Sequence, residues 1–257
     1  MTYNNLSKTK AKELRALTTK KERDRQGLFI VEGEKCVLDL MDYFSPIFLI
    51  GTKNWFESHQ EISNRYASEI LVTDSIGLKM ISALQSLPDI IAIMKKHRED
   101  DMIPVLDPKR LYLLLDEIQD PGNLGTIIRT CDWFGIYDIF ASKNTVDVYG
   151  PKVVQATMGS LSRVRVHYVD LISLIETNKA IKVIGTLLDG CTLDTCDNLD
   201  SGFLLMGNEG RGISDELKAK IEIPVTIPPV NPKTHPDSLN VAIATAIILA
   251  KISSYRK

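Results

Sequence analysis

The chain has 257 residues, of which 44% are hydrophobic and 25% charged, with a formal net charge of -2. Such a length supports one large or two small domains, and such a composition belongs to an ordinary globular protein. A net charge this close to zero excludes a global positive field for nucleic acid, and no apolar run approaches the roughly 20 residues of a membrane span.

The first stretch is basic. Residues 1–27 carry Lys8, Lys10, Lys12, Arg15, Lys20, Lys21, Arg23 and Arg25 against Glu13, Glu22 and Asp24, eight positive charges to three negative. Residues 6–25 read as one helix, whose charges suit either a solvated face or a phosphate-contacting arm. The polar start is unlike a signal peptide. Strand-like runs follow at 28–31, 47–50, 69–72 and 90–94, separated by helix-compatible stretches, with Gly33 breaking the first strand into a helix. This alternation predicts a small α/β domain over residues 1–100. The stretch Lys95–Pro108 is rich in charge and contains Pro104 and Pro108, and residues 101–108 within it read as a linker.

The second domain, 109–257, alternates more strongly. Strands are expected at 111–115, 138–141, 164–168, 181–187, 203–206 and 223–227. Helices are expected at 124–134, 152–158, 171–177, 214–220 and 239–253. The strands are nearly continuous apolar runs, as in a buried, mainly parallel sheet. The last helix is apolar almost all round, which suits a core or a subunit interface.

Four cysteines, Cys36, Cys131, Cys191 and Cys196, show no zinc spacing and are expected as free thiols in a reducing cytoplasm. His167 and His235 stand alone, so no metal is expected. There is no GxGxxG, no P-loop and no Gly-x-Ser-x-Gly elbow.

Three strings put polar residues where apolar runs end, which is where α/β folds build sites. In Asp120–Arg129, Asn123 is the expected N-cap of a helix and Arg129 lies six residues on; a helix N-terminus beside an Arg suits phosphate. Gly207-Asn208-Glu209-Gly210-Arg211-Gly212 allows positive φ and close approach to a ligand. Ser238-Leu239-Asn240-Val241 follows a proline-stiffened loop. Ser238 is the expected cap there, and the amide of Asn240, just inside an apolar helix, needs partners.

In this order the strings resemble the SpoU, or TrmH, family of RNA ribose methyltransferases within the SPOUT class. Asn123 and Arg129 match the spacing of the family's first motif, Gly207–Gly210 its second, and Ser238–Val241 its third. Phe29–Gly33 resembles the start of the family's N-terminal substrate-binding domain, a ribosomal-protein-like RNA-binding fold. Two stretches depart from the pattern. The loop between Pro228 and Ser238 is longer and richer in proline, and Gln155 and Thr157 stand where the family often has Arg and Ser.

The resemblance implies a C-terminal trefoil knot, which periodicity never suggests. It also implies S-adenosylmethionine in the knot, an rRNA substrate ahead of tRNA, and a cytoplasmic homodimer joined through the last helix. The implied reaction is in-line attack of a ribose 2′-hydroxyl on the sulfonium methyl. Asn123, Arg129, Glu209, Ser238 and Asn240 are the implied catalytic residues, and Thr186, Gly207, Ile227 and Leu239 hold the cofactor. Two rivals stand beside this reading: a non-catalytic RNA-binding or ribosome-assembly protein on the same fold, and an RNA base methyltransferase.

Overall fold

The computed structural model describes residues 4–66, 69–97, 103–231, 233, 236 and 238–254. In chain order the first elements are β1 (Asn4–Asn5), α1 (Lys8–Arg15), α2 (Lys20–Gln26), β2 (Leu28–Glu32) and α3 (Glu34–Leu40). They continue with β3 (Pro46–Gly51), α4 (Lys53–Ser58), α5 (Gln60–Arg65), β4 (Ile70–Val72), α6 (Ser75–Ile81) and β5 (Ile90–Lys95). Then come β6 (Leu111–Leu115), α7 (Pro121–Trp133), β7 (Asp138–Ala141), α8 (Pro151–Thr157), β8 (Arg165–Tyr168) and α9 (Leu171–Thr177). The last are β9 (Val183–Thr192), β10 (Gly202–Met206), α10 (Asp215–Lys218), β11 (Ile223–Thr226) and α11 (Val241–Ser254).

The chain divides into two units, residues 1–101 with 147–162, and 102–146 with 163–257. The first holds a mixed sheet in the order β1-β4-β3-β5-β2, in which β5 runs antiparallel to both its neighbours. Leu14, Leu17, Ile30, Ile50, Ile91 and Ile93 form a core on it. The division departs from the sequence-based boundaries at one segment. Residues 147–162 carry α8, which packs on β2, and Asp147 meets Arg23 in a buried ion pair. Such a return is invisible to a reading that splits a chain at linkers, because it depends on a long-range pair.

The second unit holds a six-stranded sheet, β11-β9-β10-β6-β7-β8, and every pairing in it is parallel. β6 and β10 are buried along their whole length, as central parallel strands must be. Tyr112, Leu114, Phe140, Phe203 and Leu205 form the core on one face. No described helix is long and apolar enough to cross a membrane.

Several local expectations change. The single helix over 6–25 breaks between α1 and α2, where the Thr18 and Thr19 hydroxyls donate to the carbonyls of Arg15 and Ala16 and Thr19 turns extended. Helix α7 starts earlier than expected. Its N-cap is Asp120, whose Oδ1 accepts from Asn123 N at 2.8 Å, with Pro121 at the first turn. Asn240, expected inside α11, is that helix's cap: its Oδ1 accepts from Ala242 N and Ile243 N. Cys191 and Cys196, expected as free thiols, form a disulfide. A turn in which Thr195 N and Cys196 N both donate to Thr192 O brings their Cα atoms to 6.1 Å, inside the range a disulfide needs. His235 lies outside the described residues.

Candidate functional site

The middle of β9 and the C-terminal ends of β10 and β11 converge with the start of α11 around a cavity of about 370 Å³. That is the edge where open parallel sheets bind ligands. Thr186 and Leu187 come from β9, Val225 and Thr226 from β11 with Ile227 just after it, and Val241, Ala244 and Ile248 from α11. Residues 207–212 close one side and Ser238 and Leu239 another. The four residues expected to hold a cofactor, Thr186, Gly207, Ile227 and Leu239, all line it, as do Glu209 and Ser238.

The glycine-rich loop is a small antiparallel turn. Asn208 and Gly212 exchange both backbone hydrogen bonds at 2.9 Å. A Cβ on Gly207 would collide with the backbone of Gly212 and Ile213, and Gly212 has φ +71, so side chains are excluded there on steric grounds. Two residues outside the expected set anchor the turn. Asn208 accepts from Gly210 N and Arg211 N on Oδ1 and donates Nδ2 to Glu117 O at 2.7 Å. Buried Asp116 accepts from Ser214 N at 2.8 Å. A sequence signal existed for both: Asn208 interrupts a glycine string, and Asp116 ends an apolar strand.

At the rim three polar side chains form a chain of hydrogen bonds. Asn123 Nδ2 donates to Glu209 Oε1 at 2.7 Å, and Asn240 Nδ2 donates to Asn123 Oδ1 at 2.9 Å. Asn240 spends its own oxygen on the cap of α11, and Asp120 rather than Asn123 caps α7. The Asn123 amide is therefore released from helix capping and bridges the other two motifs. Each amide is oriented by the partners it has, because donor and acceptor ends cannot be exchanged without losing a bond.

Arg129 is not part of this chain. It is exposed on α7 and does not line the cavity. Ser238, expected as the cap of the last helix, lines the cavity, and Asn240 takes the cap.

The cavity has a mainly apolar lining with one carboxylate, Glu209, and one guanidinium, Arg211. Leu187, Leu239, Val241 and Ile248 offer aliphatic contact, while Glu209 offers a carboxylate. Among the described residues no three His, Cys, Asp or Glu side chains gather as a metal site requires.

Known proteins with this architecture point the same way. Residues 110–250 match the model of the SpoU rRNA methylase family, and residues 8–92 match that of the MRM3-like substrate binding domain. The chain is 30% identical over 243 residues to the Bacillus subtilis 23S rRNA (guanosine(2553)-2′-O)-methyltransferase RlmP, covering 93% of this chain and 94% of that protein. A solved TrmH-family protein from Porphyromonas gingivalis is 37% identical with TM-score 0.84, covering 96% of this chain and 98% of that one. The SpoU methyltransferase AviRb from Streptomyces viridochromogenes, solved with its cofactor AdoMet, is 25% identical with TM-score 0.85, covering 97% of this chain and 98% of that one. With its second and third motifs lining one cavity, Asn123 of the first hydrogen-bonded to both, and a family model matched over more than half of the chain, this chain belongs to the SpoU rRNA methylase family.

Proposed function

We propose that this protein is an S-adenosylmethionine-dependent methyltransferase that acts on a ribose 2′-hydroxyl of rRNA. The observation that carries the reading is the Asn240–Asn123–Glu209 chain at the rim of the cavity, with bonds of 2.9 and 2.7 Å. Three segments far apart in sequence are joined there by side chains that no packing requirement demands.

When bound, S-adenosylmethionine supplies a methyl group already activated on a sulfonium. The protein's task is then mainly positioning, which is worth a large part of such a barrier. Thr186, Gly207, Ile227 and Leu239 would hold the cofactor. Glu209, Ser238 and the two amides would orient the ribose. Arg129 would contact the RNA phosphate or the attacking hydroxyl; a guanidinium, with a pKa above about 12, is a poor free base.

The reading includes a homodimer. Ile243 and Ile247 are exposed on α11, as is Leu239 just before it, and α11 packs on α7, which carries Arg129. A second copy covering that face would bury the apolar stripe and bring Arg129 toward a neighbouring cavity. The reading also includes a C-terminal trefoil knot, an N-terminal ribosomal-protein-like RNA-binding domain, action without a metal, and a cytoplasmic location, where its rRNA substrate would be.

The test uses large-subunit rRNA purified from cells lacking the protein. Incubation with methyl-labelled S-adenosylmethionine, followed by digestion to nucleosides, should yield one 2′-O-methylated nucleoside. Label on a base, or no label with full RNA binding, rejects the proposal.

A further inference from the structure

Beside the cavity lies a second polar cluster that the proposed chemistry does not use. Glu117 follows β6 with φ +55, one of three non-glycine residues at positive φ among the described residues. An acidic side chain is unusual there, and a strained backbone persists only when its surroundings hold it. Here they do. Glu117 N donates to Ser142 Oγ at 2.9 Å, and Glu117 O accepts from Asn208 Nδ2 at 2.7 Å. The carboxylate is held in turn: Oε1 accepts from Asn144 Nδ2 at 2.7 Å, and Oε2 lies 3.9 Å from Arg211 Nη1.

Arg211 is the only cation among the described residues that line the cavity. Its side chain is 86% exposed, and at 3.9 Å the contact with Glu117 is a tether rather than a hydrogen bond. The guanidinium donors therefore remain available to an incoming anion. An RNA strand approaching this rim meets the carboxylates of Glu209 and Glu117, and a single well-placed cation offsets them. Arg suits this because its planar fork matches two phosphate oxygens.

We propose that Arg211 binds a phosphodiester of the RNA at the mouth of the cavity, and that Glu117 is the positioning residue that holds the guanidinium there before RNA arrives. This rests on the methyltransferase reading above but concerns RNA binding, which is measured separately from turnover. The same guanidinium could instead meet the carboxylate of the cofactor, so the test has an arm for each.

The full-length protein is titrated with the same rRNA by filter binding across a salt series, and with S-adenosylmethionine by calorimetry. Arg211→Ala should weaken RNA binding about ten-fold and lower the log–log salt slope by about 0.7 to 0.9. Cofactor affinity should stay unchanged, and Arg211→Lys should restore the slope but only part of the affinity. Glu117→Gln should weaken RNA binding about two-fold in the parent, yet strengthen it in the Arg211→Ala background, where it removes a bare carboxylate. Unchanged RNA affinity and slope in Arg211→Ala overturns the proposal, as does a loss of cofactor binding in its place. An equal effect of Glu117→Gln in both backgrounds overturns the positioning role. An unsubstituted protein that binds rRNA as described but transfers no methyl group rejects the proposed function while leaving this inference supported.

Discussion

Asn123 and Glu209 stand 86 residues apart in sequence, yet the Asn123 amide donates to the Glu209 carboxylate at 2.7 Å. Asn240, another 117 residues from Asn123, completes the contact from the far side at 2.9 Å. Asn123→Ala should leave both partners short of a bond at the rim of the cavity. We expect a stability loss of about 1 to 2 kcal/mol by urea unfolding and at least a roughly ten-fold fall in kcat. A variant with parental turnover would remove this contact from the functional site.

Arg129 behaves differently because it is exposed and outside the hydrogen-bonded chain. Arg129→Ala should change stability by less than about 0.5 kcal/mol and lower turnover about a hundred-fold, with cofactor affinity unchanged. Single-turnover methylation beside a melting curve checks both halves. Parental turnover would show that Arg129 is only a surface residue.

The basic N-terminal segment is not uniform. Arg23 is 4% exposed, pairs with Asp147, and donates to the carbonyls of Leu17 and Thr18. Arg15 donates to the carbonyls of Ile81 and Ser82. These two hold the fold, whereas Lys8, Lys12, Lys20 and Lys21 are exposed. Replacing those four by Gln should lower the salt slope of RNA binding by up to about 3 and leave stability intact. Arg23→Ala should instead cost about 3 to 5 kcal/mol, because Asp147 is left buried without its partner. If the four-lysine variant keeps the parental slope, RNA is gripped elsewhere.

Removing residues 1–100 strips away β2 and with it the surface on which α8 packs. Val153 and Val154, now buried, would be exposed on the remaining chain. We expect this truncation to aggregate, and a version that also replaces Val153 and Val154 by Ser to be more soluble. Size-exclusion chromatography of the two distinguishes them; equal solubility would show that 147–162 does not depend on the first unit.

Burial pushes the thiols of Cys36 and Cys131 above their ordinary pKa, with a nearby carboxylate adding to the shift in each. A raised pKa keeps the reactive thiolate scarce at neutral and mildly alkaline pH, so native protein should resist alkylation from about pH 7 to 9. Unfolding without reductant should release two thiols, and reduction should release two more from Cys191 and Cys196. Four thiols before reduction would contradict the disulfide.

Apolar runs of strand length, separated by helical patterns, were enough to indicate a mainly parallel sheet in the second half, because burial on both faces leaves little choice of side chain. The amide of Asn240 at the start of an apolar helix stood out from the residues alone, because an amide there needs partners, whereas Asn123 showed only as a helix cap and Glu209 was named only through the resemblance to the family. What each of them does was decided by tertiary structure. Asp120 outcompetes Asn123 for the cap of α7 by offering a carboxylate to the helix N-terminus, and so frees the Asn123 amide to reach Glu209. Arg23 looked like its basic neighbours until Asp147, far along the chain, neutralised it inside the core. The same pair draws 147–162 into the first unit, against the domain boundary that composition suggests. Local patterning reports what a segment of chain prefers, whereas the partner of a polar group across a hundred residues is chosen only when the folded backbone brings the two within hydrogen-bond reach.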